Sequence, residues 1–102
     1  MEEKDFALRL AQLRTKKNVS AREMSLSLGF NSNYINGIEL NQASPSLAGI
    51  IYICDYLGIT VSEFFDFESE NPAKLHNIIQ LLKKLDDEQL NSIETLIKGL
   101  IK

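Results

Sequence analysis

Apolar residues recur at intervals of three and four along the whole chain, with no sustained alternation, and this spacing predicts helices throughout. Leu8, Leu10, Ala11 and Leu13 mark a first helix over about 5–17, and Asn18, a residue that tolerates the left-handed conformation, closes it. Ser20 with Glu23 forms a capping box that opens a second helix; Met24 and Leu28 face inward and Gly29 ends it. Asn31 is the expected cap of a third helix over 32–39 that carries Ile35 and Ile38. Ser44-Pro45-Ser46 opens a fourth, with Pro45 in the first turn, where a missing N–H does no harm. Leu47, Ile50, Ile51, Cys54 and Leu57 are its expected buried stripe, and Gly58 its end. Thr60 with Glu63 repeats the capping box before a short fifth helix through Phe64 and Phe65.

The pattern then changes. All eight aromatics lie at or before Phe67, whereas residues 72–102 hold twelve Leu or Ile in thirty-one. Glu68-Ser69-Glu70-Asn71-Pro72 is a polar joint, with Asn71 as cap and Pro72 as the first helical residue. Asp86 with Gln89 divides the remainder into helices of about 72–85 and 87–101. The fold class is therefore all-α, with a five-helix domain over 1–67 and a two-helix extension over 68–102. Leu75, Ile78, Ile79, Leu82 and Leu85 form one stripe of the extension; Leu90, Ile93, Leu96, Ile97, Leu100 and Ile101 form the other. Two short helices need fewer large aliphatics than this to cover each other. The hairpin is expected to pair with its twin from a second chain rather than fold back onto its own domain.

Function concentrates in 21–39. Met24, Leu28, Phe30, Ile35 and Ile38 are spaced so that two short helices cross and share a core, with Gly29 at the corner. The second helix then projects outward and presents Asn31, Ser32, Asn33, Tyr34, Asn36 and Gly37. Short amides and hydroxyls suit hydrogen bonds to base edges, and Asn can bind adenine through two of them in the major groove.

Residues of about 8–66 resemble the lambda-repressor-like (Cro/C1-type, XRE) helix-turn-helix regulators of bacteria and phages. The matching strings are Leu13-Arg14, Ser20-Ala21-Arg22-Glu23-Met24, Leu28-Gly29-Phe30, Ile35-Asn36-Gly37-Ile38-Glu39, Pro45-Ser46 and Leu57-Gly58-Ile59-Thr60 leading into Phe64-Phe65. The resemblance implies a five-helix DNA-binding domain whose partner is double-stranded DNA. It places Asn31, Ser32, Asn33 and Tyr34 where the family meets bases or adjacent phosphates, with Asn36 in support. It also implies a phosphate grip at the start of the second helix, at Ser20 and Arg22, to which Lys16, Lys17 and Asn41 are added. Arg14 and Glu39 fall at the positions of a structural ion pair. Ala21 stands in place of the usual glutamine, Gly37 at a frequent base-reading position, and Leu40-Asn41 in place of a basic residue and glycine.

Net charge is −3, from eleven Lys and Arg against fourteen Asp and Glu, which taken alone speaks against nucleic acid. The distribution reverses that. Residues 9–22 hold Arg9, Arg14, Lys16, Lys17 and Arg22 and no acid, a local +5 that becomes +4 once Arg14 is assigned to Glu39.

Several classes fall away. The opening Met1-Glu2-Glu3-Lys4-Asp5 has no secretory pattern, and the longest apolar run, Ile50 to Cys54, is five residues, against about 18 for a membrane helix. A lone Cys54 and a lone His76 give no disulfide and no metal-ligand cluster. Cys54 is expected to be a small buried hydrophobe, His76 a solvent-facing helix residue, and Asp86-Asp87 helix-start chemistry rather than a catalytic pair. No nucleophile set, metal site or phosphate-cradling glycine loop suggests an enzyme, and no cofactor is expected. The expectation is a cytoplasmic homodimeric repressor on a palindromic operator, dimerising through Leu75, Ile78, Ile79, Leu82, Leu90, Ile93, Ile97 and Leu100. The competing reading is an antitoxin-like or peptide-responsive module that engages a protein or peptide through the C-terminal helices.

Overall fold

The computed structural model describes residues 3–101; Met1 and Glu2, the first two residues of the opening just discussed, lie outside the described residues, as does Lys102. The order is α1 (Glu3–Lys16), α2 (Ala21–Ser27), α3 (Tyr34–Glu39), α4 (Leu47–Leu57), α5 (Val61–Phe64), α6 (Pro72–Leu82) and α7 (Asp87–Ile101), with no strand among the described residues. The all-α expectation holds.

Phe6, Leu10 and Leu13 of α1 meet Met24, Ile35, Ile38, Ile53, Leu57 and Phe64 in one buried core. Leu8 lies outside it, because two residues along a helix turn the side chain about 200° away from Leu10. The turns use the residues the sequence offers. Asn18 and Asn41 sit at φ 62° and 59°, and Gly29 and Gly58 at 82° and 74°. Both capping boxes form, Ser20 Oγ accepting from the Glu23 amide at 2.9 Å and Thr60 Oγ1 from the Glu63 amide at 3.1 Å.

Helix α4 departs from expectation twice. Pro45 precedes the helix rather than lying in its first turn; Ser46 is the cap, and its Oγ accepts from the Gly49 amide at 3.0 Å. The buried stripe is Gly49, Ile53, Cys54 and Leu57, whereas Leu47 is 74% exposed and Ile51 is also exposed. The segment LAGIIYICDYL is apolar on nearly every side, so its periodicity leaves the phase open. The close approach at Gly49, described below, sets it. Cys54 is buried as expected, and burial, reinforced by Asp55, pushes its thiol up to about 11.

Arg9 belongs to the fold, not to a surface patch. It is only 4% exposed on the buried side of α1, one turn from Phe6. Its Nε donates to the Phe64 carbonyl at 2.6 Å, Nη1 to Ser69 at 2.8 Å, and Nη2 to Asp66 at 2.8 Å and Glu63 at 3.1 Å. The guanidinium also lies 5.7 Å from the centroid of the Phe67 ring. One side chain thus gathers the chain between α5 and α6, where there is no regular backbone pairing to do so. Burial draws its pKa below the usual arginine value, and Asp66 offsets part of that.

Pro72 is the first residue of α6, and α6 ends at Leu82, three residues before the expected end. Asp86 and Gln89 then cap α7 reciprocally, at 2.8 and 3.1 Å. His76 is not solvent-facing. Its Nδ1 lies 2.8 Å from Glu63 Oε1 and fastens α6 to α5. Partial burial raises the Glu63 carboxyl pKa, but hydrogen bonds from Thr60 and His76 outweigh it and hold the group below its ordinary 4.5. A carboxyl with a depressed folded pKa contributes stability above the unfolded value and loses it as pH falls below about 4.5. Glu63→Gln is therefore expected to flatten the acid arm of a thermal-melt series from pH 6 to 3, by roughly 1 kcal/mol relative to wild type. Parallel acid arms would refute it.

No residue of α7 is buried, and Leu96, Leu100 and Ile101 are widely exposed. The molecule is correspondingly long, 49 × 26 × 24 Å. No side chain of α7 joins the buried core, whereas α6 meets it through Pro72 and Ala73.

Candidate nucleic-acid interface

Helices α2 and α3 are joined through one hydroxyl. Ser25, fully buried on α2, donates from Oγ to the Ala21 carbonyl at 2.7 Å and accepts from the Ile35 amide at 3.0 Å. The first amides of α3 have no partner within their own helix, and this bond satisfies one of them from the neighbouring helix. Tyr34 supplies the other brace. Its ring stacks on Phe30 at 4.0 Å and 16°, and its hydroxyl reaches α4 so closely that a Cβ at Gly49 would collide with it. Burial raises the phenol pKa accordingly.

The third helix begins two residues later than expected. Asn31 Oδ1 accepts from the Asn33 amide at 2.9 Å, and the Asn31 carbonyl accepts from the Tyr34 amide at 3.1 Å, so 31–33 is a tight turn that leads into α3. Asn33 occupies the cap position without a capping side-chain bond. Asn31, Asn33 and Asn36 are exposed, while Ser32 and Tyr34 are half-buried. Gly37 is also half-buried, and its carbonyl accepts from the amides of Gln42 at 2.9 Å and Ala43 at 3.2 Å, closing the far end of α3 beside Asn41.

Arg14 and Glu39 make a two-pronged pair, Nε to Oε2 at 2.7 Å and Nη2 to Oε1 at 3.0 Å, while Nη1 donates to the Val19 carbonyl at 2.9 Å. The bond to Glu39 raises the Arg14 pKa, against partial burial. The pair clamps the C-terminal end of α3 to α1. Glu39→Gln is expected to cost about 2 kcal/mol in urea unfolding, since it leaves a largely buried guanidinium short of its counter-charge. Arg14→Met combined with Glu39→Met is expected to cost less than the sum of the two single changes. Strict additivity would mean that the two groups do not couple.

The basic run of 9–22 divides. Arg9 and Arg14 are engaged inside the domain, so three cations of the run rather than four are left at its surface. Lys16 Nζ donates to the Glu70 carbonyl at 2.8 Å, and Lys17 Nζ lies 5.1 Å from the centroid of the Tyr56 ring. Tyr34 meets α4 at Gly49, and Lys17 meets it at Tyr56, about 10 Å further along the helix axis. Both lysine heads are thereby turned to the α4–α6 end, whereas exposed Ser20 and Arg22 stand at the start of α2.

Sequence reasoning missed Arg9, Ser25 and Gly49. A signal existed for two of them: Arg9 falls on the Phe6–Leu13 stripe, and Ser25 follows Met24 on the inner side of α2.

The family model HTH_3, described as Helix-turn-helix, matches residues 10–64, more than half of the 102-residue chain. The chain belongs to the lambda-repressor-like helix-turn-helix family. It is a DNA-binding transcriptional regulator in the general sense of that family. No curated protein and no solved structure matches it. The matched span of this helix-turn-helix regulator runs from Leu10 in α1 to Phe64 in α5 and stops before α6 and α7. Among the described residues, no helix is long and apolar enough to cross a membrane, and no group of three His, Cys, Asp or Glu side chains is placed to hold a metal ion.

Proposed function

We propose that this regulator is a cytoplasmic repressor that binds a palindromic operator as a homodimer, with α3 and the turn before it in the major groove. The observation that carries this reading is the combination of exposed Asn33 and Asn36 with a helix braced on three sides, by Ser25, by Tyr34 and by the Arg14–Glu39 pair. A braced helix presents its amides in one fixed geometry, which base-edge hydrogen bonding requires. Ser32 and Asn33 read bases; Asn31, Tyr34 and Asn36 support them. Ser20, Arg22 and Asn41 position the domain on phosphates, and Lys16 and Lys17 contribute mainly to the long-range field.

Residues 1–67 form the reading domain and 68–102 the dimerisation element. Leu75, Ile78, Leu82 and Leu85, and again Leu90, Ile93, Ile97 and Leu100, follow the three-four-three spacing of a helix-bundle seam. Ile79 flanks the first seam. Two such hairpins pair as a four-helix bundle, covering faces that a single chain leaves exposed.

Selection of bound DNA from a random pool is expected to return an inverted repeat with half-sites about one helical turn apart. With Asn33→Ala, preference is expected to relax at one position of each half-site, at about 1–3 kcal/mol. A pool with no enriched sequence at low salt and micromolar protein would remove the reading. A second reading, docking of a regulatory protein or peptide on the same C-terminal face, is favoured by Gly37, which offers no side chain at a central position of α3. It predicts a monomer until the partner is added.

A further inference from the structure

We propose that the junction of α1, α4 and α6 is a binding site for a small branched aliphatic carboxylate. A cavity of about 110 Å³ opens there, floored by the buried side chains of Leu13, Leu57 and Ile59 and walled by Pro72. Lys16 and Lys17 are among its lining residues, and none of the lining residues is acidic. Lys16 Nζ has one hydrogen bond, to the Glu70 carbonyl, and Lys17 Nζ rests over the Tyr56 ring, so both retain donors for an incoming oxygen.

The arrangement selects by shape and charge together. A dry cavity of about 150 Å³ holds a benzene molecule, so the smaller space here suits a body of about four carbons. The apolar floor disfavours a hydrated, multiply charged anion such as phosphate, which it would strip of water without replacing the lost hydrogen bonds. A lysine ammonium that swings to the mouth of the cavity would favour a carboxylate over a neutral alcohol of the same carbon skeleton through a charge-assisted bond. The ligand would lie head outward at the lysines and tail inward against Leu57 and Ile59. The site lies where the first turn of α6 meets the five-helix core, and binding at it does not depend on how α3 reads DNA.

The test is titration of the full chain with sodium 3-methylbutanoate at fixed ionic strength, followed through the methyl resonances of Leu57 and Ile59. Saturable shifts are expected, with a Kd on the order of 1 mM for so small a ligand. The neutral 3-methyl-1-butanol, of the same carbon skeleton, and sodium chloride serve as comparators. The alcohol is expected to bind at least about tenfold more weakly, and Lys17→Met to weaken the carboxylate by about the same factor. Ala73→Leu, which projects into the cavity, is expected to abolish saturation while the helical circular dichroism is retained. Linear shifts, equal shifts with chloride, or affinity indifferent to Lys17→Met would each overturn the proposal. The lysine variant leaves the core untouched, so the test stands even if Ala73→Leu does not fold.

Discussion

Replacing Arg9 by methionine is expected to lower the stability of the protein by about 3 kcal/mol, read as an earlier urea midpoint with an unchanged slope. Methionine keeps the unbranched stem but lacks the guanidinium plane, three heavy atoms in all, and every one of its donors. The carbonyls of Glu63, Phe64, Asp66 and Ser69 would lose their shared partner at once. An orphaned buried acceptor costs about 1–3 kcal/mol, and those of the four that reach water recover part of it, so the total falls well short of the simple sum. Arg9→Lys is expected to recover only part of the loss, since a point ammonium cannot span four carbonyls in a planar fork. The outcome distinguishes two roles for the same cation. A phosphate-binding arginine would leave stability within about 0.5 kcal/mol and instead reduce the salt slope of DNA binding by about one.

The second large effect is expected from Ile97→Asp. Ile97 lies in the C-terminal half of α7, exposed in the single chain, so the change costs the isolated protomer little. Across a paired bundle it would bury a carboxylate without a partner. Association should weaken by at least about a hundredfold, roughly 3 kcal/mol or more. Sedimentation is expected to show wild-type dimer and variant monomer at micromolar concentration. Operator affinity should fall in parallel, because a monomer holds one half-site and half the phosphates. Thr95→Asp, an exposed position of α7 outside the seam, is the control and should leave the dimer intact. A wild-type protein that sediments as a monomer would end the homodimer proposal outright.

Much of the architecture was legible because each helix carries its own start and stop chemistry. Ser20–Glu23, Thr60–Glu63 and Asp86–Gln89 form the reciprocal caps that their spacing predicts, and Asn18, Gly29, Asn41 and Gly58 take the left-handed turns. These are local signals, decided within a few residues. The misreadings share the opposite character. The phase of α4 could not be read from a segment apolar on nearly every side; it depends on Tyr34, fifteen residues earlier in the chain, meeting Gly49. Arg9 and His76 looked like surface charges because their partners lie at Glu63–Ser69 and at Glu63, joined to them only by the completed fold. The start of α3 slipped because Asn31 can cap a helix or close a turn, and the Asn33 amide took the second option. At the interface, the residue types on α3 were legible, whereas the division of the basic run was not. Which cations stay free depends on carbonyls and rings elsewhere in the chain.

Ser25 has a consequence for the DNA itself. Its hydroxyl uses one proton and one lone pair to hold Ala21 on one side and Ile35 on the other, and the bond that crosses to α3 is buried. On the proposed reading, the two helices would approach a duplex as one braced unit. Any mismatch in curvature must then be taken up by the double helix. Base steps that bend or twist cheaply would be preferred even where no side chain touches them, and part of the operator's identity would be written in its stiffness.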